Sequence, residues 1–213
     1  EHLTENNANQ IKDVDAIGIF IYSSVNKKLL NNLPNLKLIT TLSTGFDHID
    51  LKECKKRKIT VCNVPHYGEN TVAEHTFALI LHLTRKIHKA YERTIRGDFS
   101  LEGLRGTDLQ GKTIGVIGAG SIGQHVVRIA KGFEMKVIAF DKSKNLKLAK
   151  RLGFKYVDFD YLLKNSDIVT LHVPYNKFTH HLIDKKAISK MKKDAIIINT
   201  ARGAIIDTTA LLE

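Results

Sequence analysis

Val116-Ile-Gly-Ala-Gly-Ser-Ile-Gly123 is an apolar run that breaks into three glycines at the spacing G-x-G-x-x-G. Eighteen residues after Gly123 stands Asp141, the end of a second apolar run, Val137-Ile-Ala-Phe-Asp141. A strand, a tight glycine turn, a helix and a second strand ending in an acid form the arrangement that holds a dinucleotide. The glycines have separate tasks. Gly118 permits the tight turn, Gly120 removes a Cβ where a pyrophosphate approaches, and Gly123 lets the helix pack closely on the sheet. Backbone N–H groups around Ser121 and Ile122, at a helix N-terminus, favour phosphate oxygens. Asp141 is suited to accept hydrogen bonds from the adenosine ribose hydroxyls and to repel a 2′-phosphate, which favours NAD over NADP. Lys142 and Lys144, close by, work against that repulsion.

Outward from this core, both halves alternate strand and helix, the signature of an α/β layer with a parallel sheet. Before it, strands are expected over Val14–Ile21, Leu36–Leu42 and Ile59–Val64, the last stopped by Pro65. Short helices are expected from a Ser23 or Ser24 cap to Leu33 and over Asp50–Lys55. Thr71–Ala90 reads as one long apolar-periodic helix, with Thr71 as N-cap and Glu74 completing a capping box. Its apolar surface is wide enough to run between two domains or into a subunit interface. The polar stretch Tyr91–Gly111 is the boundary candidate, giving domains of residues 1–90 and 91–213. From Thr113 the expectation is strands at 113–117, 135–140, 155–157, 168–173 and 195–199. Helices are expected between them at 121–133, 146–152, 159–163 and 183–191. A doubly wound parallel sheet usually has six strands, so this Rossmann-type cofactor domain reads as incomplete. The absence of an initial Met and an end inside a helical turn suggest a cut chain.

The chain has 213 residues, 43% hydrophobic and 26% charged, with a net charge of +11. That fits a globular fold with a sizeable core. The basic runs, such as Lys55-Lys-Arg-Lys58, have no interleaved aromatics to stack bases, which argues against a nucleic-acid partner. Cys54 and Cys62 form no metal or disulfide pattern, so a cytoplasmic setting is expected. No segment is apolar for long enough to span a bilayer, and the histidines are too scattered for a metal site.

Further polar groups cluster at strand ends, where open α/β sheets bind ligands. Arg202, in Asn199-Thr-Ala-Arg-Gly203, can meet a substrate carboxylate with two parallel hydrogen bonds and polarise a neighbouring carbonyl. His172, Val173 and Pro174 form a wall suited to the adenine side, with His172 shaping it by packing rather than moving protons. Thr179 and His181 lie in a loop that either closes over a cofactor or is plain surface. In the first half, the backbone amides of Thr44 and Gly45 in Ser43-Thr-Gly-Phe-Asp-His-Ile-Asp50 can cradle an anion, and Tyr67 is a second edge candidate. His48 and His66 invite an acid–base reading, but a structural role suits them better.

Five ordered motifs resemble the D-isomer-specific 2-hydroxyacid dehydrogenase family. They are residues 43–50, Val72-Ala-Glu74, residues 111–123, Leu171-His-Val-Pro174 and residues 199–203. The resemblance implies a flavodoxin-like α/β substrate domain, also incomplete here, beside the cofactor domain, usually in a homodimer. It implies that Gly118, Gly120, Ser121, Ile122 and Gly123 hold the pyrophosphate of NAD and Asp141 the ribose. Val173 and Pro174 would flank adenine, Thr179, Thr200 and Ala201 would line the cofactor site, and Thr71 would approach the nicotinamide. Arg202 would orient a small 2-oxo or 2-hydroxy acid, with Thr44 and Gly45 on its carboxylate. Tyr67 is similar to the tyrosine of the D-lactate branch, which favours pyruvate over phosphoglycerate, glyoxylate or hydroxypyruvate. The family's catalytic His and its acidic partner lie beyond its Arg, whereas this chain ends eleven residues after Arg202. The competing expectation is an NAD-sensing co-repressor module without catalysis, which has no need of Arg202.

Overall fold

A computed structural model describes residues 2–213. The chain forms two compact units that divide between Tyr67 and Gly68.

The first unit holds a parallel sheet of β1 (Ala16–Ile19), β2 (Leu38–Thr41) and β3 (Thr60–Cys62), in that order. The crossovers carry α1 (Lys27–Asn31) and α2 (Leu51–Lys56). Leu29, Leu30, Leu33 and Ile39 are buried at its centre. Each strand is shorter than its apolar run, because the run ends continue as loop. The α1 cap is Asn26, whose side chain accepts from the Leu29 N–H at 3.0 Å. The Ser23 and Ser24 alternatives fail: the Ser23 hydroxyl accepts from the Leu3 N–H instead. Asp50 caps α2 by accepting from the Glu53 N–H.

The second unit opens with α3 (Glu69–Thr84) and α4 (Ile87–Ile95). This corrects the single helix expected over 71–90. Lys86 adopts a left-handed conformation (φ +52°) that breaks the helix, and the Thr84 carbonyl accepts from the Thr107 N–H rather than continuing the ladder. Gly68 is the N-cap of α3, so Thr71 sits inside its first turn without a capping role. The 90/91 division is also displaced. Ala73, Phe77 and Ile80 of α3 are buried in the core of the second unit, and Phe77 stacks on Phe133 with centroids 5.5 Å apart.

Five parallel strands follow: β4 (Thr113–Ile117), β5 (Lys136–Phe140), β6 (Lys155–Tyr156), β7 (Ile168–Leu171) and β8 (Ile196–Asn199). Their order is β6-β5-β4-β7-β8. The helices are α5 (Ser121–Gly132), α6 (Leu146–Leu152), α7 (Phe159–Asn165), α8 (Lys185–Ile188) and α9 (Thr208–Leu212). Successive side chains of β4 feed opposite faces, as strand geometry requires. Ile114 and Val116 join the core under α3 and α5, and Ile117 joins a second core with Leu162, Leu163 and Ile183. Every residue of β7 is buried, as expected of a strand covered on both faces. The sheet is therefore doubly wound.

Candidate functional site

The register of the sheet brings the sequence-expected residues of the second unit into one row. Ile117 pairs with Phe140 on one side and Leu171 on the other, and Leu171 pairs with Asn199. The next residue on each strand is Asp141, Gly118, His172 and Thr200. β4 has β5 on one side and β7 on the other, so the chain winds away from it in both directions. The glycine turn thus leaves the sheet at its topological switch point, where such sheets bind ligands.

Gly118 has φ +93°, and a Cβ there would lie 2.5 Å from the His172 carbonyl oxygen. A Cβ on Gly123 would lie 2.1 Å from the Gly118 oxygen. These two glycines let α5 sit directly on the turn. At Gly120 a Cβ would meet nothing within 4 Å. That position needs no glycine for the fold itself, and its open face lies at the N-cap of α5. Ser121, Ile122 and Gly123 form the first turn of α5, where N–H groups have no intrahelical acceptor. Asp141 accepts from the Ala119 N–H through Oδ2 and from the Ser143 N–H through Oδ1, both at 2.8 Å. The carboxylate is thereby aimed across the glycine turn. The ammonium of Lys142 stands 5.5 Å from the centroid of the Phe178 ring.

His172 is largely buried. Its Nε2 is 2.9 Å from the buried Thr170 hydroxyl, and its Nδ1 has no hydrogen-bond partner among the described residues. Burial pushes its pKa down to about 4, so the ring is neutral near pH 7. A neutral buried ring fits a packing role. Val173 touches the Gly118 position, and Pro174 is exposed beside it. Thr179 spends its hydroxyl within its own loop, donating to the Pro174 carbonyl at 2.7 Å and accepting from the Asn176 N–H at 2.9 Å.

Two residues that support this row escaped the sequence reading. Asn199 clamps the turn after β8, accepting from the Ala201 N–H at 3.0 Å and donating to the Arg202 carbonyl at 2.8 Å. Buried Thr76 of α3 lies 3.1 Å from the Thr200 hydroxyl. A hydroxyl on the apolar face of α3 was the available signal. Arg202 directs Nη1 to the Ala201 carbonyl at 3.0 Å.

In the first unit, the turn after β2 carries Thr44 and Gly45. The Thr44 hydroxyl donates to the Val64 carbonyl, and Asn63 Nδ2 donates to the Thr44 carbonyl. His48 joins a buried cluster with Thr41 and Ser43. Tyr67, the last residue of this unit, is exposed. No group of three or more metal-ligating side chains exists among the described residues. Both cysteines are free, and no described helix is long and apolar enough to cross a membrane.

Known proteins share this sequence pattern and fold. The sequence profile for the D-isomer specific 2-hydroxyacid dehydrogenase, NAD binding domain, matches residues 77–213. A glyoxylate reductase of Thermococcus litoralis is 39% identical over 211 residues, 96% of this chain and 64% of the relative. The solved D-lactate dehydrogenase of Aquifex aeolicus, complexed with NAD and lactic acid, superposes with a TM-score of 0.91 at 44% identity, covering 96% of this chain and 61% of that one. An acyclic imino acid reductase in complex with NADPH and D-Arg superposes at 0.88 with 38% identity, covering 98% and 67%. The chain spans 64% of the length of three curated relatives that it matches.

Proposed function

Because the chain belongs to the D-isomer specific 2-hydroxyacid dehydrogenase family, we propose that its second unit binds NAD(H) and that the whole protein interconverts a small 2-oxo acid and its 2-hydroxy acid. The observation that carries this reading is the row Asp141–Gly118–His172–Thr200 at the switch point, with Asp141 tied to Ala119 of the glycine turn.

In this reading the first-turn N–H groups of α5 receive the pyrophosphate and Asp141 receives the ribose hydroxyls. Relatives of this fold are described with either NAD or NADPH, so the local charge decides. Asp141 favours NAD, and Lys142, one of the two cations opposing it, stands over the Phe178 ring. His172, Val173 and Pro174 form the wall on the adenine side, and Thr71, Thr179, Thr200 and Ala201 complete the cofactor surroundings. The nicotinamide, when bound, supplies a hydride to C2 of the oxo acid. Arg202 orients that acid and draws electron density from its carbonyl, while the Thr44 and Gly45 N–H groups hold its carboxylate.

Pyruvate and D-lactate are the favoured pair, on the strength of exposed Tyr67 in the position similar to the D-lactate branch. Glyoxylate is the second reading, supported by the glyoxylate reductase relative. An exposed apolar stripe of Ile87, Tyr91 and Ile95 on α4, continued by Phe99 and Leu101, supports a homodimer in the whole protein. Fluorescence titration of the chain with NADH and NADPH tests the cofactor reading. Tight NADH binding is expected, and no saturable binding of either nucleotide would remove it.

A further inference from the structure

The Ser43 hydroxyl donates to the Gly45 carbonyl at 2.7 Å. A carbonyl only accepts, so this bond consumes the single proton of Ser43. Thr41 Oγ1 lies 2.7 Å from the same Ser43 oxygen. The proton between those oxygens must come from Thr41. Thr41 Oγ1 also lies 3.2 Å from His48 Nε2. With its own proton committed to Ser43, Thr41 accepts here, and Nε2 carries a hydrogen. Three hydrogen bonds therefore run one way, from His48 to Thr41, from Thr41 to Ser43, and from Ser43 to the Gly45 carbonyl. Thr41 is fully buried and Ser43 nearly so, and a low-dielectric setting strengthens such a chain.

The last link settles the orientation of a peptide group. The carbonyls of Ser43, Thr44 and Gly45 are held by the Val64 N–H at 3.1 Å, Asn63 Nδ2 at 2.8 Å and the Ser43 hydroxyl. In a trans peptide the N–H points opposite to the carbonyl. Anchoring three successive carbonyls thus aims the N–H groups of Thr44, Gly45 and Phe46 away from those anchors. None of these three N–H groups donates to a protein acceptor among the described residues. Successive unpartnered backbone N–H groups in a turn are donors that an anion can use.

We infer that His48 is a positioning residue: its Nε2–H heads a hydrogen-bond relay through Thr41 and Ser43 that sets the anion cradle at residues 44–46. The inference rests on the reading that this turn receives a substrate carboxylate. Its role is to donate a hydrogen bond without exchanging a proton with substrate.

The test uses the 15N-labelled 213-residue chain, with oxamate as the carboxylate probe. Long-range 1H–15N spectra should show the neutral His48 ring protonated at Nε2. Oxamate should shift the Thr44, Gly45 and Phe46 amides. His48→Leu should weaken oxamate roughly 2–10-fold, the net worth of one hydrogen bond. His48→Gln, whose side-chain amide can donate to Thr41, should restore most of that loss, and NADH affinity should not change in either variant. A neutral ring bare at Nε2 overturns the inference, and that spectrum needs no variant to fold. A Leu variant that binds oxamate like wild type, or a Gln variant no better than Leu, also overturns it. If oxamate leaves the 44–46 amides of the wild type unmoved, the carboxylate reading falls and takes the role of His48 with it. If it moves them while His48→Leu changes nothing, only the relay falls.

Discussion

Oδ2 of Asp141 accepts a hydrogen bond from the backbone N–H of Ala119 at 2.8 Å, joining the end of β5 to the middle of the glycine turn that leaves β4. The acid expected to select the cofactor is thus also a brace for the loop that would hold the cofactor's phosphates. On the proposed reading, binding and local order share one side chain.

Asp141→Ala should accordingly act twice. Losing a charge-assisted acceptor toward ribose should weaken NADH by roughly 10–100-fold, at about 1.5–3 kcal/mol for a hydrogen bond to a charged group. NADPH should weaken far less, because repulsion of its 2′-phosphate is relieved, so the preference narrows. Parallel titrations of both nucleotides against wild type and variant read this out. Equal wild-type affinities would contradict the assignment of Asp141 and turn attention to Lys142 and Lys144.

The three glycines of the turn should separate stability from binding. Gly123→Ala places a methyl 2.1 Å from the Gly118 carbonyl oxygen, which is backbone and cannot swing aside. A loss of about 1–3 kcal/mol is expected, the usual cost of forcing a methyl group into a packed site, with a lower Tm. Gly120→Ala meets nothing within 4 Å and should melt like wild type. Its NADH affinity should fall all the same, because the added methyl occupies the face where pyrophosphate approaches. Thermal melts beside NADH titrations test the pair. A Gly120→Ala variant with unaltered NADH affinity would show that the phosphates lie elsewhere.

The element boundaries that were legible in the sequence are those set by local signals. The β4 boundaries, 113–117, follow from a short apolar run punctuated by Gly118, and α6 lies between its Asn145 cap and the left-handed Gly153. The break between α3 and α4 was illegible because neither Gly nor Pro marks it. Lys86 takes a left-handed conformation there, and Lys86 Nζ and the Thr84 carbonyl bond to Gly103 and Thr107, residues distant in sequence. Asn26 displaced the serines as a cap because Ser23 was claimed by Leu3 from an earlier segment. The relay from His48 follows the same logic. Its members sit close in sequence, yet the turn it orders is also fixed by Asn63 and Val64 from beyond α2.

Burial of His172 makes stability depend on pH. Its folded pKa is about 4, below the ~6.5 of an unfolded histidine. Between those values the unfolded chain binds more protons, so stability falls as pH drops from about 6.5 through about 4 and levels off below. The full penalty is about 3 kcal/mol, at about 1.4 kcal/mol per pKa unit. Other groups also titrate in this window, so the informative quantity is the difference from a variant. His172→Gln keeps a donor near Thr170 and has no proton to gain. Urea unfolding at pH 7.5 and pH 4.5 should show a smaller acid-induced loss in the variant. Equal losses in both proteins would mean that His172 does not carry this effect.

On the proposed reading, Arg202→Lys should be damaging in the whole protein although the charge is kept. Nη1 of Arg202 is fixed on the Ala201 carbonyl at 3.0 Å, and the turn that carries it is clamped by Asn199. That bond ties the guanidinium to its own turn. A lysine ammonium is a point charge on a flexible stem and cannot hold that carbonyl while offering two parallel donors to a carboxylate. Losing one charge-assisted hydrogen bond is worth about 1.5–3 kcal/mol, so kcat/KM for pyruvate should fall roughly 10–100-fold with NADH affinity unchanged. If the carboxylate is gripped equally in ground and transition states, KM carries the loss. If the developing charge on the carbonyl oxygen is gripped more strongly, kcat falls as well. Steady-state kinetics with a separate NADH titration distinguishes the two. An unchanged kcat/KM would place Arg202 outside the substrate site, and the clamp made by Asn199 would then be a feature of the fold alone.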